Sequence, residues 1–297
     1  MVINNNLQYN LNLNKDTCCP HCNGIHIIKY GNFNSKQRYL CKDCGKTFSI
    51  RTNSPWYYSK KDNATWKKFW NLQMEKAPLR ICAHELNINI ATAFSWRHKI
   101  LNTLKISTEP KTIRGNIFMT KRVIHENFKG YNKNKTMFKI KKDHNLIVIV
   151  SGDDNDDCLV QPICLDRWDK NSFSQIVLNK VEFNSFIFTG GDRYLALAAR
   201  GGYAFNNPYQ HEYIDALVEN KKLIKPAREL VTNIINNYRD INNKARGVAT
   251  KYLSRYFSLA KIFSLKENFS FSTVFNKIYT KDAFLIYKKI GDIVELQ

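Results

Sequence analysis

The sequence lacks long apolar runs and the signals of export. No segment approaches the roughly 20 consecutive apolar residues that span a bilayer, which excludes a membrane-spanning helix. The first residues, MVINNNLQYNLNLNKDT, have neither the basic start nor the apolar core of a signal peptide. We therefore expect a cytoplasmic protein, in which clustered cysteines hold metal more often than they form disulfides.

Acidic residues are also scarce relative to basic ones. The 297 residues include 46 Lys and Arg but only 25 Asp and Glu, giving a formal net charge of +21. An excess of this size favours a polyanionic partner, with nucleic acid before a membrane surface. Solvated lysines that only confer solubility are the alternative. The hydrophobic content of 43% fits a folded globule and not a disordered chain.

The chain divides into five segments by composition. Residues 1–16 are polar and Asn-rich and are expected to form a disordered tail, and residues 17–52 are turn-rich and carry the clustered cysteines. Residues 60–106 show the apolar spacing of helices, and Asp62 is predicted to cap the first of them. Residues 112–264 begin with strands and continue with mixed strands and helices, which predicts an α/β (α+β) domain. Residues 265–297 form a C-terminal extension whose pattern is ambiguous.

Within the fourth segment the elements can be placed more closely. Apolar runs between polar turns predict strands at 113–124, 136–141, 145–151, 157–165 and 183–189. Helical spacing predicts helices at 170–180, 192–200, 226–243 and 249–264. These positions imply a sheet built mainly from the first half of the segment and helices that follow it.

Two C-x-x-C pairs indicate a metal site near the N-terminus. Cys19 and Cys22 form the first pair, and Cys41 and Cys44 form the second after 18 intervening residues. One tight turn aims both sulfurs of a pair at one ion, so two turns complete a tetrahedral Zn²⁺ site. So short a segment has too small a core to fold alone, and metal binding would supply its folding energy. Free or redox-active thiols are the alternative, and Cys18 could replace Cys19.

Basic and aromatic residues are interleaved around the two cysteine pairs. The basic residues are Lys36, Arg38, Lys42, Lys46 and Arg51, and the aromatic residues are Tyr39 and Phe48. Cations neutralise phosphates while aromatic rings pack or stack. We therefore predict that this ribbon binds nucleic acid, with Lys46 and Arg51 among the contacts. Zinc ribbons also bind proteins, and the motif alone does not choose between the two partners.

The segment PLRICAHELNINIATAFSWRHKILNTL, residues 78–104, has the pattern of a helix, a short turn and a second helix. In a helix-turn-helix the second helix enters the major groove, where its polar face contacts bases and phosphates. The residues predicted to make these contacts are Thr92, Ser95, Arg97, His98 and Lys99. A plain helical hairpin is the alternative. Residues 1–112 contain 17 Lys and Arg against 6 Asp and Glu, which favours DNA binding by this half.

The order of these motifs resembles that of a known family. The segments CPHC and KQRYLCKDCGKTFS, the helix end WRHKIL and the late motif RGVATKYLSRYF are similar to those of the zinc-ribbon insertion-sequence transposases of the ISXO-like group. The segment GNIFMTKRVIHENFKG matches the family's Gly-x-Val-Glu-x-Asp-Glu-Thr segment in length and in both end glycines. The resemblance implies a ribonuclease-H-like mixed-sheet domain, in which carboxylates hold two divalent ions for phosphoryl transfer.

The acids that the resemblance implies are missing from their positions. The leading Asp falls at Thr120 and its companion Glu falls at Lys121, while the other two acids fall at Gly190 and Thr232. Neutral or positive groups cannot offset the charge of two cations. The resemblance therefore implies a transposase-like protein that has lost catalysis, with structural Zn²⁺ as its cofactor and no Mg²⁺.

Three functions remain open from the sequence. The first is an inactive, nucleoid-associated protein that recognises terminal-repeat-like or adopted sites on double-stranded DNA. The second is an active transposase that holds Mg²⁺ through displaced acids, Asp192 and Asp154. The third is a partner that modulates an active transposase. The protein would act as a homo-oligomer or in a mixed oligomer with that transposase.

Overall fold

The computed structural model describes a ribbon, a helical layer and a sheet. The described residues are 18–33, 36–49, 52, 59–127, 144–182, 185–189, 192, 195 and 221–265. The predicted tail, the predicted strand at 136–141, most of the predicted helix at 192–200 and nearly all of the C-terminal extension lie outside these ranges.

The ribbon is a small antiparallel sheet in the order β1-β2-β3. Its strands are β1 (Ile27–Phe33), β2 (Lys36–Cys41) and β3 (Thr47–Ser49). Its buried cluster comprises Cys19, Cys41 and Phe48. Because so few side chains are buried, burial of apolar surface alone stabilises this unit weakly.

Three helices follow the ribbon: α1 (Asn63–Met74), α2 (Leu79–Glu85) and α3 (Ile90–Thr108). The predicted Asp62 cap is confirmed, since its side chain accepts a hydrogen bond from the Thr65 N–H at 2.8 Å. The predicted break between α2 and α3 is also confirmed. The Asn89 side chain caps α3 by accepting a hydrogen bond from the Ala91 N–H.

The larger sheet contains β4 (Asn116–His125), β5 (Asn145–Gly152), β6 (Cys158–Leu165) and β7 (Phe186–Phe188) in the order β6-β5-β4-β7. Strands β4, β5 and β6 are antiparallel to their neighbours, and β7 runs parallel to β4. These four strands overlap the predicted ones. The predicted α+β class is confirmed by this mixed sheet and its helices.

Further helices with bounds in the described ranges are α4 (Lys170–Ile176), α5 (Lys221–Lys244) and α6 (Leu253–Ser264), with short 3₁₀ turns at 178–180 and 250–252. Helix α5 begins before the predicted start at residue 226. Pro226 lies near the beginning of α5 and is exposed, and a missing N–H is tolerated best near a helix start.

Side chains of alternate strand residues point to opposite faces of the sheet and belong to two different buried clusters. The sheet therefore lies between two layers of helices. Phe118 of β4 and Val148 of β5 pack on the side of α3, α5 and α6. Ile117 and Met119 of β4 pack on the other side with α4. Helix α5 approaches β5 closely at Gly152. A Cβ atom added to this glycine would lie only 2.8 Å from the Val231 Cγ2 atom.

Candidate metal centre and nucleic-acid interface

The four cysteines of the two pairs converge as predicted. Their sulfur atoms all lie within 4.8 Å of one another. The Sγ atoms of Cys19 and Cys44 are 3.7 Å apart, and those of Cys22 and Cys41 are 3.6 Å apart. Tetrahedral zinc with bonds of about 2.3 Å requires sulfurs about 3.8 Å apart. These four side chains can therefore hold a metal ion such as Zn²⁺.

The two cysteine turns have the same local construction. The Asn23 N–H donates to the Cys19 carbonyl at 2.8 Å, and the Gly45 N–H donates to the Cys41 carbonyl at 2.9 Å. Asn23 and Gly45 both have left-handed backbones, with φ values of 62° and 67°. These are residue types that adopt this conformation readily. The shared turn is what directs each pair of sulfurs towards one point.

Backbone donors around the first turn favour the thiolate that binds metal. Burial opposes ionisation of Cys19, but hydrogen bonds from the backbone N–H groups of His21 and Cys22, together with those from the Cys44 and Cys22 side chains, lower the Cys19 pKa to about 7. Although the Gly24 N–H opposes them, the neighbouring Cys44 and Cys41 side chains and burial raise the pKa of Cys22 to about 12. The Gly24 N–H lies 3.4 Å from the Cys22 Sγ. Metal binding requires deprotonated cysteine, so this environment suits a ligand.

The nearby His26 connects the two turns without joining the cluster. Its Nδ1 lies 2.7 Å from the Asp43 Oδ1, and this contact lowers the Asp43 pKa. Cys18 is exposed and lies outside the group of four. Within the described ranges, the four cysteines form the only group of three or more Cys, His, Asp or Glu close enough to hold an ion.

The ribbon aromatics have a different arrangement from the predicted one. Tyr39 and Phe48 stack on each other with ring centres 5.6 Å apart, and Phe48 is buried beside the cysteines. Their role is therefore to build the ribbon core. The aromatic residues of β1 that reach solvent are Tyr30 and Phe33, which the spacing of the sequence does not distinguish. Lys46 is exposed as expected, and Arg51 lies outside the described residues.

Helix α3 contributes fewer exposed polar side chains than the sequence predicted. Thr92, Ser95 and Lys99 are half-buried, which leaves their predicted DNA contacts as predictions. Arg97 and His98 are buried, which does not favour their predicted contacts with DNA. The physical reason is that α3 packs against α1 and α2 on one side and against α6 on another.

Arg97 connects three parts of the helical layer. Its Nε donates to the Gln73 Oε1 at 2.6 Å, and its NH2 group donates to the Ala77 carbonyl at 2.5 Å. A buried guanidinium requires such acceptors because burial without them is costly. This arginine therefore holds α3 against the end of α1 and the turn before α2.

His98 lies among aromatic rings in the core. Its ring centre is 4.3 Å from that of Phe94 and 4.2 Å from that of Tyr252. Neither ring nitrogen has a hydrogen-bond partner within the described part of the chain. Burial, followed by the positive charges of Arg255, Arg97 and Lys251, lowers the His98 pKa to about 3. The imidazole is consequently neutral at physiological pH.

The positions implied for catalytic acids carry other side chains. Thr120 is half-buried on β4, opposite Val150 of β5. Thr232 is exposed on α5, where its hydroxyl donates to the Arg228 carbonyl at 2.7 Å. Gly190 lies outside the described residues.

Lys121 and Asp192 form an ion pair beside β4. The Lys121 Nζ is 3.1 Å from the Asp192 Oδ2, and both side chains are mostly buried. The same ammonium lies 5.6 Å from the Trp168 ring centre. The other carboxylate oxygen of Asp192 accepts a hydrogen bond from the Leu195 N–H at 3.0 Å. Both oxygens of this carboxylate are therefore engaged within the protein.

The two candidate substitute acids are not brought together. Asp154 accepts a hydrogen bond from the Asn116 side chain at 2.9 Å, at the start of β4. Asn116 contacts Asp154, and Lys121 contacts Asp192. These two residues of β4 are an odd number of positions apart, so their side chains point to opposite faces of the sheet. They are also separated along the strand by about 16 Å. A pair of metal ions about 4 Å apart cannot use Asp154 and Asp192 in this arrangement.

Comparison with known proteins gives a similarity over a short segment. An uncharacterized protein in transposable element ISH50 of Halobacterium salinarum is 44% identical over 41 residues, which are 14% of this chain and 14% of that protein. The similarity thus spans about one seventh of the length of this relative. No protein-family model matches the chain.

Two further observations bear on the partners. Helices in the described ranges are all too short or too polar to cross a bilayer. The four-cysteine cluster fits a zinc ribbon, as in the motif identified from the sequence. The 41-residue similarity to the ISH50 protein likens this chain to a transposable-element protein.

Proposed function

We propose that this chain is a transposase-related DNA-binding protein without transposition activity of its own. The observation that carries the proposal is the Lys121–Asp192 ion pair, because it engages the nearest substitute acid with an ammonium on the face of β4 away from Thr120. The transposable-element relative and the four-cysteine cluster support the family part of the proposal. The net charge of +21 supports a nucleic-acid partner.

The sheet topology supports a ribonuclease-H-like body. Strands β4 and β7 are parallel neighbours, and α5 packs on Phe118 and Phe188 of these two strands. The three elements that would supply the acids, β4, the end of β7 and α5, are thus adjacent. This is the arrangement that a carboxylate metal site requires, because its ligands come from separate elements.

The charges at these elements favour loss of catalysis. The Lys121 ammonium, 3.1 Å from the Asp192 Oδ2, already serves as the counter-charge of this carboxylate. Thr120 and Lys121 point to opposite faces of β4, so Asp192 lies on the face away from Thr120. The Asp192 carboxylate is therefore poorly placed to replace an acid at position 120, which argues against the active alternative.

The decisive experiment measures binding and cleavage on the same DNA. The zinc-loaded full chain is mixed with labelled duplex that carries the terminal repeats flanking its gene, in Mg²⁺ or Mn²⁺. We expect binding that weakens steeply with salt, because phosphate contacts release counterions, and no nicking. Lys46→Ala and Lys99→Ala should weaken this binding.

Metal-dependent nicking would overturn the proposal if it disappears in Asp192→Asn. The matched control is Asp156→Asn, since Asp156 is an exposed turn residue with a φ of 64° that asparagine also adopts. Nicking that persists in both variants indicates a contaminating nuclease. Absence of duplex binding at low salt would contradict the DNA-binding part of the proposal.

A further inference from the structure

The side of the ribbon sheet away from the cysteines presents apolar and aromatic side chains to solvent. Directly opposed residues of antiparallel strands share a face, and Ile28 is opposite Leu40 in the β1–β2 pairing. Ile27 and Cys41 are opposite each other on the cysteine side. We call the first side the outer ribbon face, defined by Ile28, Tyr30, Phe33, Arg38 and Leu40.

The aromatic residues of the outer ribbon face are open to a partner. Tyr30 is 51% exposed, Phe33 is 63% exposed and Ile28 is 39% exposed. Strand β1 is an edge strand, since the sheet order is β1-β2-β3. Large apolar side chains scattered singly over a surface are ordinary, but three on one short strand form a patch that indicates binding.

The guanidinium group of Arg38 places a positive charge next to this patch. Its guanidinium carbon lies 5.5 Å from the Tyr30 ring centre, and its NH2 group donates to the Thr47 hydroxyl at 3.1 Å. Such a cation over an aromatic ring orients both groups. The face thus presents a ring held in place beside a cation, which is a suitable arrangement for a base and its phosphate.

The charges of the ribbon favour nucleic acid over an ordinary protein partner. The three strands contain Lys29, Lys36 and Arg38 but no Asp or Glu. Lys42 and Lys46, in the turn between β2 and β3, are both exposed. The acid of this turn, Asp43, is engaged by His26 at 2.7 Å, so the charge around the apolar patch is mainly positive. Such a patch is complementary to a chain that carries flat rings and negative charges.

We propose that the outer ribbon face binds unpaired nucleotides, with bases stacked on Tyr30 and Phe33 and phosphates near Arg38. Base faces inside a duplex are already stacked on each other, so protein rings reach them only where strands are open. The inference rests on the proposed DNA-binding function and adds a site for single-stranded segments.

The test compares single and double strands with the zinc-loaded full chain. The probes are fluorescent oligothymidine, which does not form a duplex with itself, and a mixed-sequence duplex of the same length. Stacking on an aromatic side chain contributes about 1–3 kcal/mol per base, so Tyr30→Ala with Phe33→Ala should weaken oligothymidine binding about tenfold or more. Duplex binding should change less than about twofold, because duplex bases do not reach these rings.

Two further variants separate stacking from other effects. Tyr30→Leu with Phe33→Leu keeps the patch apolar but removes the rings, and it should lose as much affinity as the alanine pair. Val123→Ala removes an exposed apolar side chain from β4 and serves as the matched control. Zinc content is measured for every variant, so that a ribbon that fails to fold is recognised.

The outcomes distinguish the inference from the function on which it rests. If the native chain binds duplex but not oligothymidine, the face does not hold unpaired bases and DNA binding still stands. If the leucine pair keeps its affinity, or if duplex and single-strand binding fall equally, stacking is excluded. Self-association that both paired variants abolish, without a change in oligothymidine binding, assigns the face to a second copy of the chain. If the native chain binds neither probe, both proposals fail.

Discussion

In the ribbon, the buried cluster consists of Cys19, Cys41 and Phe48, so two of its three members are candidate metal ligands. In the body, which comprises the described residues between 59 and 265, stacked aromatic side chains such as Trp66 and Trp96, with ring centres 3.9 Å apart, belong to a large shared core. We therefore expect the ribbon to depend on a bound ion for its stability, whereas the body depends on apolar burial. The difference implies that one part can be unfolded without the other.

Removal of the metal should produce the largest effect. We expect a strong chelator, or Cys41→Ser, to unfold β1–β3 and leave the body folded, because structural zinc sites contribute about 10 kcal/mol or more. Hydrogen exchange measured by mass spectrometry follows both parts together. The amides of β1 and β2 should lose protection while those of α1 and α3 keep it.

Cys18→Ser provides the control for this prediction. Cys18 is exposed and lies outside the cluster, so its replacement should leave zinc content and exchange unchanged. Retained protection of β1 and β2 after complete loss of zinc would contradict the comparison between ribbon and body. Simultaneous loss of protection in α1 and α3 would contradict it as well.

In the body, the largest single effect is expected at Arg97. Arg97→Ala leaves the Gln73 side chain and the Ala77 carbonyl without their charged donor. The free energy of unfolding should fall by about 3 kcal/mol. Urea denaturation measures the change, with Arg80→Ala at an exposed position of α2 as control. Unchanged stability with weaker DNA binding would restore the original assignment of Arg97 to DNA.

Sequence reasoning succeeded where spacing alone determines geometry. The two C-x-x-C pairs predict the metal cluster because a tight turn fixes the direction of each sulfur. The Asp62 cap and the strands β5 and β6 follow from local patterns in the same way.

It failed where tertiary packing decides which face of an element is buried. A helix covered on two sides buries polar residues that a single-stripe pattern places outside, as at Arg97 and His98. Likewise, Tyr39 and Tyr30 look equivalent in the sequence. Only the pairing of β1 with β2, which includes a register shift between Lys29 and Asn32, assigns Tyr39 to the core and leaves Tyr30 exposed.

The buried histidine predicts a pH dependence that belongs to the body alone. The folded-state pKa of His98 is about 3, whereas its ordinary value is 6.5. Between these values the unfolded chain binds a proton that the folded chain does not, so stability falls as pH decreases. The contribution is about 1.4 kcal/mol per pH unit. It is fully present above pH 6.5.

His98→Phe tests this dependence. The phenyl ring of the variant fits among Phe94 and Tyr252, the aromatic neighbours of His98. The change also removes two buried ring nitrogens that have no hydrogen-bond partner in the described part of the chain. Between pH 4 and pH 6.5 the free energy of unfolding of the native chain should change with pH more steeply than that of His98→Phe. The expected difference between the two slopes is about 1.4 kcal/mol per pH unit. His84→Phe, at an exposed position of α2, is the control. Identical slopes in native chain and His98→Phe would show that His98 is accessible to protons in the folded state.

The smallest effect is expected at the Lys121–Asp192 ion pair, which differs from the cysteine cluster in its need for a metal ion. The cysteine cluster needs an ion to offset four thiolates, whereas Asp192 already has the Lys121 ammonium as its counter-charge. A double-mutant cycle with Lys121→Met and Asp192→Asn should therefore give a coupling of about 1 kcal/mol. Mg²⁺ should leave the thermal unfolding of the native chain unchanged, because a filled ion pair offers no site. Zero coupling, together with stabilisation by Mg²⁺ that Asp192→Asn abolishes, would show that Asp192 serves a metal and would favour an active enzyme.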